Sequence, residues 1–543
     1  MMTTNKKASA IRGAMRIVTV LLLLAYAPAL WAQHHGKGSI KPDEVFMDMR
    51  QPGKLADEFP KEKIDQVRVL HLRGPLNNDD IRFVKRLADR SKVLDVKGDK
   101  VEAYLDLDME EARLVRGGLL GGHADSRVVW SSIFSYCRLL RSVILPRSTE
   151  EIGDRAFYGC SQLERVDMPR DVRIIGEAAF SGCRRLHRMP LPRRIHTIGD
   201  NAFYDCDRLI DIYLPDELTT LGKGAFEGCS RLEKVSLPEQ LAVIPARAFY
   251  GTALREVTLP YNVAEIGEYA FKGTNISVLT IPATATFFSP TAVDRCDRLR
   301  NIFVEQGNAQ YADIDGVLYT ADFAQLLLVP CMRQGIFSIP EGTVAIGDYA
   351  MNNCHNITMI DIPETVMSIG DYAFAKCTSL TTMALPETLT HIGKGALSGC
   401  SSLVSATLPQ TLTQVPVEMF DGCSKLMSTC MPEGVVVIGE SAYHKCTSLT
   451  EVVLPRSVTT IGDEAFRGCK NMTMFKMYEG VTKMGDKIVY DCSRLQTFFS
   501  LCPTPPEVNK VTDEKVSLVV PAASVALYKK AKGWKKFRTI SGI

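Results

Sequence analysis

Proline recurs at a fixed interval. Pro146, Pro169, Pro192, Pro215 and Pro238 are 23 residues apart, two steps of 22 reach Pro260 and Pro282, and the 23-residue step resumes at Pro340 and runs through Pro363, Pro386, Pro409, Pro432 and Pro455. Aligned on that proline, the segments share the skeleton P-x-x-V-x-x-I-G-x-x-A-F-x-G-C-x-x-L-x-x-V-x-L. A period of this length, repeated this often, admits a stack of similar supersecondary units and little else. One unit has too few apolar side chains to enclose a core, so each must complete its neighbour's. The 543 residues would otherwise suggest three or four globular domains.

One rung of the stack can be read from the skeleton. In L-x-x-V-x-L, exemplified by Leu163, Val166 and Met168, residues two apart share one face of a strand. The proline that follows cannot donate to a ladder and ends the strand. A second short extended segment follows, with Val172 and Ile175 pointing inward. G-x-x-A-F then reads as one helical or 3₁₀ turn, because the residue after the glycine is acidic in nine of thirteen rungs and acids favour helix N-termini. Pro245 and Pro416 replace that glycine, so the position is not left-handed. At about 4.8 Å per rung, 14 or 15 rungs would extend roughly 70 Å.

The phrase I-G-x-x-A-F-x-G-C-x-x-L-x-x-V-x-L-P resembles the BspA-type leucine-rich repeat of bacterial cell-surface proteins, over roughly residues 135–500. The stretch from Tyr311 to Pro330, with D-G-V-L-Y at Asp315 to Tyr319, is similar to the hairpin that interrupts such arrays. Val69 to Ala88 and Val516 to Phe537 are similar to their leading and terminal modules. The resemblance implies an α/β repeat fold: a β-rich leucine-rich-repeat solenoid with capping units at both ends, used for attachment and recognition, with no chemistry and no cofactor of its own.

The expected organisation is a signal peptide over 1–32, a leader with irregular capping modules over 33–134, array segments at 135–303 and 340–502 flanking an insertion at 304–339, and a cap at 503–543. Lys6, Lys7, Arg12 and Arg16 precede an apolar run from Ile17 to Trp31, and an A-x-A site lies at Ala27 to Ala29. That order is a secretory signal, too short for a membrane span. Export to the periplasm, the medium or the surface of a bacterium is expected, with no span in the mature chain. Gln33 to Pro60 reads as a loose leader, Val67 to Leu72 as a strand, Asn78 to Asp80 as the cap of a helix carrying Ile81, Val84 and Leu87, and Ala522 to Lys532 as a short helix followed by Trp534 and Phe537 over the last core face.

Of sixteen cysteines, thirteen share one frame position, from Cys137 to Cys492. Zinc would need closely spaced pairs, and a ladder of parallel side chains fits a disulfide poorly. These are read as small buried side chains, mostly free thiols. Cys331, Cys430 and Cys502 lie outside the frame and are the expected reactive ones. The nine histidines are scattered, and no H-E-x-x-H, G-x-S-x-G or P-loop motif occurs. Net charge is +2, which gives no sign of a nucleic-acid partner. No catalytic, metal or cofactor residue is assigned.

A partner would be read by the residues flanking the inward strand position. Arg165, Arg188, Asp211, Tyr213 and Phe303 are the candidates, with an arginine cluster at Arg184, Arg185, Arg188, Arg193 and Arg194 that suits an anionic glycan or an acidic protein face. The expected function is recognition of a protein or glycan, such as host matrix or another cell surface. The alternatives are a structural spacer with no ligand and, further off, a hydrolase with its cleft near the insertion at Gly307 to Phe337.

Overall fold

The computed structural model describes residues 43–89, 104–117, 127–512 and 515–543; the expected signal segment lies outside them. The chain winds as a parallel β-solenoid of about 21 rungs. Each rung has three sides, here illustrated by the rung around Val166. A strand side (Arg165–Asp167) alternates out-in-out, with Val166 buried. A short-strand side (Ile174–Ile175) buries Ile175. A looped side, Gly176 to Cys183, returns the chain. Strands on successive rungs pair in parallel register, such as Ser142↔Arg165 on the strand side and Ile174↔Thr197 on the short-strand side. The core between the sides holds the predicted Leu163, Val172, Phe180, Cys183 and Leu186, all fully buried. Phe157, Phe180, Phe203, Phe226, Phe249 and Phe271 form a ring stack with centroids 5.2–5.6 Å apart.

The looped side corrects the expectation of a helical turn. The amides of Arg155, Phe157 and Gly159 donate across to Glu177, Ala179 and Ser181 of the next rung, each at 2.7 Å, while those of Ala156, Tyr158 and Cys160 close local turns onto Gly153, Arg155 and Phe157. A helix directs every amide back along its own chain. Here every second amide is sent outward, which requires left-handed residues at intervals: Arg155 at φ 56° and Gly159 at φ 70°. The glycine of the G-C pair supplies that conformation without a Cβ penalty.

The acid after I-G is therefore not a helix cap. Asp154 Oδ1 accepts the amide of Glu177 at 2.8 Å, and Asp200, Asp348, Asp371, Asp463 and Asp486 do the same for the equivalent residue one rung on. The carboxylate is a rung-to-rung clamp. The I-G glycine has a different role, as its negative φ expectation holds while a Cβ on Gly176, Gly199 or Gly222 would strike backbone of the preceding rung.

The cysteines form a second clamp. Cys160 Sγ donates to Phe134 O at 3.0 Å, and Cys183, Cys206 and Cys229 repeat the bond to Phe157, Phe180 and Phe203. Among the described residues, which include all sixteen cysteines, none is in a disulfide and fourteen are buried. Burial pushes the Cys296 and Cys400 thiols up to about 12. Cys502 corrects its predicted reactivity: it is buried, and its Sγ donates to Tyr478 O at 3.2 Å. Because the thiolate is the reacting form, a disulfide-exchange reagent should label no more than Cys331 and Cys430 in the native protein and all sixteen after unfolding. Rapid native labelling of a ladder cysteine, mapped by peptide mass, would contradict this packing.

The irregular ends also stack. Glu44–Asp48, read from sequence as loose leader, is a strand paired in parallel with Val69–Leu76. The helix Asn78–Ala88 has the expected buried Ile81, Val84 and Leu87, with Asn77 and Asp80 forming a capping box. Asp80 is buried and also accepts the amides of Gly53 and Leu55, so the helix start ties the leader to the first rungs. At the other end Val525–Lys530 is helical, preceded by a 3₁₀ turn at Ala522–Ser524. Counting these end rungs gives about 100 Å of stacked strands at 4.8 Å each, more than the sequence estimate.

The insertion is an antiparallel hairpin, Tyr311–Ile314 with Val317–Thr320, turning at Asp315 and Gly316 with φ 49° and 74°. Two consecutive positive φ values suit a tight hairpin. Gln325–Leu328 then rejoins the short-strand side against Ala345–Ile346. The core forms two clusters that meet here, with Cys331 packed against both.

Candidate recognition surface

The strand side fixes where the five candidate residues stand. Strand alternation turns Val166, Ile212 and Ile302 inward and leaves their flanking residues out. Arg188 bridges to Asp211, and Asp211 pairs with Lys234, so these occupy one column on successive rungs, with Arg165 one rung before Arg188. Tyr213 is 66 % exposed and shares the outward face with Asp211, two residues away. Phe303, 42 % exposed, lies in the same column as Tyr213. Four rungs separate them, about 19 Å. Arg165, Arg188, Asp211 and Tyr213 are thus brought together, and Phe303 stands apart.

The charges in this region are largely answered. Arg165 reaches Asp167 of its own strand, with Nη2 2.6 Å from Oδ2. In the arginine cluster, Arg184 faces Asp207 at 3.8 Å, Arg185 faces Glu164 at 3.5 Å and Arg194 faces Asp171 at 2.7 Å. Such exposed pairs add little stability but cancel most of the positive field the sequence suggested. Arg188 and Arg193 have no carboxylate partner among the described residues.

Sequence reasoning missed a polar cluster on the leading rungs of the same side. His71 lies between two carboxylates, with Nδ1 2.8 Å from Asp108 and Nε2 3.0 Å from Glu44, and its ring stacks on Phe46 at 4.2 Å. Next to it Arg141 pairs with Asp106 and lies over the Tyr104 ring at 3.4 Å, with Arg68 also near that ring at 5.0 Å. The only signal was the alternation around His71, whose neighbours Leu70 and Leu72 are buried. Burial opposes a charge on His71, but the hydrogen bonds to Asp108 and Glu44 outweigh it and raise the imidazole pKa above its ordinary value. A raised histidine pKa contributes stability that is complete below about 6.5 and is lost as pH rises through the higher folded value. Hydrogen exchange in Glu44–Asp48, corrected for intrinsic rate, should therefore show protection falling as pH rises above about 6.5, and His71→Ala should flatten that dependence. An equal pH dependence in the variant would assign the effect elsewhere.

Among the described residues no group of His, Cys, Asp or Glu is placed to hold a metal ion, and no helix is long and apolar enough to cross a membrane. At the insertion the cavity between Asp294, Cys331 and Tyr349 measures about 20 Å³, room for one water. Burial pushes the Cys331 thiol up to about 11, and its Sγ donates to Cys296 O at 2.8 Å. A larger cleft of about 440 Å³ beside the helix Asn78–Ala88 is lined by Arg82, Lys85, Trp130, Ser132 and Tyr136.

A family model described as BspA type leucine rich repeat region (6 copies) matches residues 127–251, 219–313, 331–450 and 436–504. Among solved structures, a leucine rich cell surface protein from Faecalibacterium prausnitzii is 25 % identical, with 71 % of this chain and 85 % of that one covered and a TM-score of 0.42. A leucine-rich repeat protein from Eubacterium ventriosum is 24 % identical, with 62 % and 82 % covered and a TM-score of 0.44. One from Bacteroides ovatus is 23 % identical, with 79 % and 90 % covered and a TM-score of 0.37. No curated protein matches the sequence.

Proposed function

The chain belongs to the BspA-type leucine-rich repeat family, and from that premise we propose that it is a non-catalytic recognition protein, exported and exposed at a bacterial surface, that binds a protein or glycan partner through its strand side. The similar protein from F. prausnitzii is described as a cell surface protein, which supports the location. The observation that carries the reading is the row Arg165, Arg188, Asp211 and Tyr213. It places an exposed tyrosine and an arginine without a carboxylate partner on one outward face, where a single β-bridge joins Arg188 to Asp211. Tyrosine and arginine are the residue types that anchor interfaces, because each offers a large contact area with polar reach.

The test is binding to a panel of glycans and extracellular matrix proteins. Saturable binding should weaken at least tenfold in Arg188→Ala with Tyr213→Ala, about the loss of one anchor residue. Both side chains are exposed, so the variant should unfold at the wild-type denaturant midpoint. Binding untouched by the double variant would remove these residues from the interface. No binding to any panel member would favour a spacer that only organises its neighbours.

A further inference from the structure

We propose that the outer face of Lys529 to Arg538 is a docking surface for an anionic lipid headgroup layer. The inference is independent of the strand-side partner. The segment is pinned from within. Tyr528 and Trp534 are fully buried, Trp534 and Phe537 pack edge-on against Phe498 at 5.6 and 5.8 Å, and Trp534 Nε1 donates to Pro506 O at 2.9 Å. With those residues committed to the core, Lys529, Lys530, Lys532, Lys535, Lys536 and Arg538 all point outward and are exposed.

Two observations separate this patch from an ordinary solvated surface. The first is charge. Residues 503–543 hold eight of the 64 basic residues and three of the 62 acidic ones, so this unit carries +5 and the rest of the chain −3. Two of those three acids, Asp513 and Glu514, lie outside the described residues. Among the described residues none of the six cations has a carboxylate partner; Lys532 Nζ donates to the neutral Asn509 Oδ1 at 2.6 Å. The arginine cluster on the strand side, by contrast, is mostly paired. Unanswered like charges held within ten residues repel one another, and a layer of phosphates relieves that repulsion. The second is Leu527, 49 % exposed on the same helix as Lys529 and Lys530. An apolar side chain beside a cationic patch gains by entering a lipid interface, whereas a soluble polyanion offers it nothing.

The experiment is flotation of the full chain with vesicles of phosphatidylcholine alone and of phosphatidylcholine mixed with phosphatidylglycerol. Binding is expected only to the mixed vesicles and should collapse between about 0.05 and 0.5 M salt as the Debye length shrinks. Each cation near an anionic surface is worth about fivefold. Changing Lys529, Lys530, Lys535 and Lys536 together to Ser should thus lower partitioning by more than about tenfold, and Leu527→Ser should lower it severalfold. Unchanged Trp534 fluorescence reports that both variants keep the cap folded. No binding to mixed vesicles, equal binding to neutral ones, or retention by the quadruple variant would overturn the proposal. So would tight binding of soluble dextran sulfate that Leu527→Ser leaves intact while vesicles bind weakly, which would assign the patch to a polysaccharide.

Discussion

Gly222→Ala is expected to destabilise the array by about 3 kcal/mol or more, at the top of the range for single substitutions. A Cβ at this position would lie 2.3 Å from the backbone of Asp200 and Gly199 on the preceding rung, and no side-chain rotation relieves a clash with backbone. The amide of Gly222 is meanwhile held to Ile198 O at 2.8 Å, so the two rungs must part to make room. Gly251→Ala is the control. It lies in the left-handed region at φ 70°, and its Cβ would meet nothing within 4 Å. Its cost should be only the backbone term, about 1–2 kcal/mol. Urea denaturation of the two variants measures the difference. Equal losses would show that close rung approach is not what the I-G glycine serves.

Phe203→Ala is expected to cost about 3–5 kcal/mol. Its ring is fully buried and stacked on Phe180 at 5.4 Å and Phe226 at 5.2 Å, so truncation opens a cavity that neither neighbour can fill without breaking its own stack. In a quasi-one-dimensional array each rung is coupled only to those beside it. The loss should therefore be local: hydrogen-exchange protection falls on the rungs of Phe180, Phe203 and Phe226, while the rungs around Phe420 and Phe466 keep theirs. A uniform loss along the chain would mean that the molecule unfolds as a single cooperative unit.

The contrast between these two sites shows what the sequence disclosed. The inward residues of the repeat, Val166, Ile175, Phe180 and Leu186, were legible because burial imposes apolar identity at a fixed period. The hairpin was legible only through the resemblance of D-G-V-L-Y at Asp315 to Tyr319 to the hairpin that interrupts arrays of this repeat; the structure adds the positive φ of Asp315 and Gly316. The looped side was not. An acid following glycine and preceding Ala-Phe has the composition of a helix start, and the left-handed residue next to it is Arg155, Ala178, Tyr269 or Glu464, types that do not advertise that conformation. The end rungs were hidden for another reason. Glu44–Asp48 keeps the strand alternation but has lost the proline and I-G marks, so it pairs with Val69–Leu76 without carrying the phrase. In the candidate surface, the column Arg165, Arg188, Asp211 followed from strand alternation, whereas the ion pairs that answer Arg184, Arg185 and Arg194 depend on which acid the adjacent rung presents. The His71 cluster depends on three strands separated in sequence and had no local signature.

Successive rungs lie one upon the next along a single stack. Spin labels on strand-side positions test it directly, with Cys331 and Cys430 first changed to Ser. A pair at Arg165 and Lys234, three rungs apart, should lie about 14 Å apart, and a pair at Arg165 and Asn301, six rungs apart, about 29 Å. Thr382 and Thr497, five rungs apart in the second half, should give about 24 Å. Distances that grow by about 5 Å for every 23 residues are the predicted result; distances that fail to grow with rung number would contradict the stack.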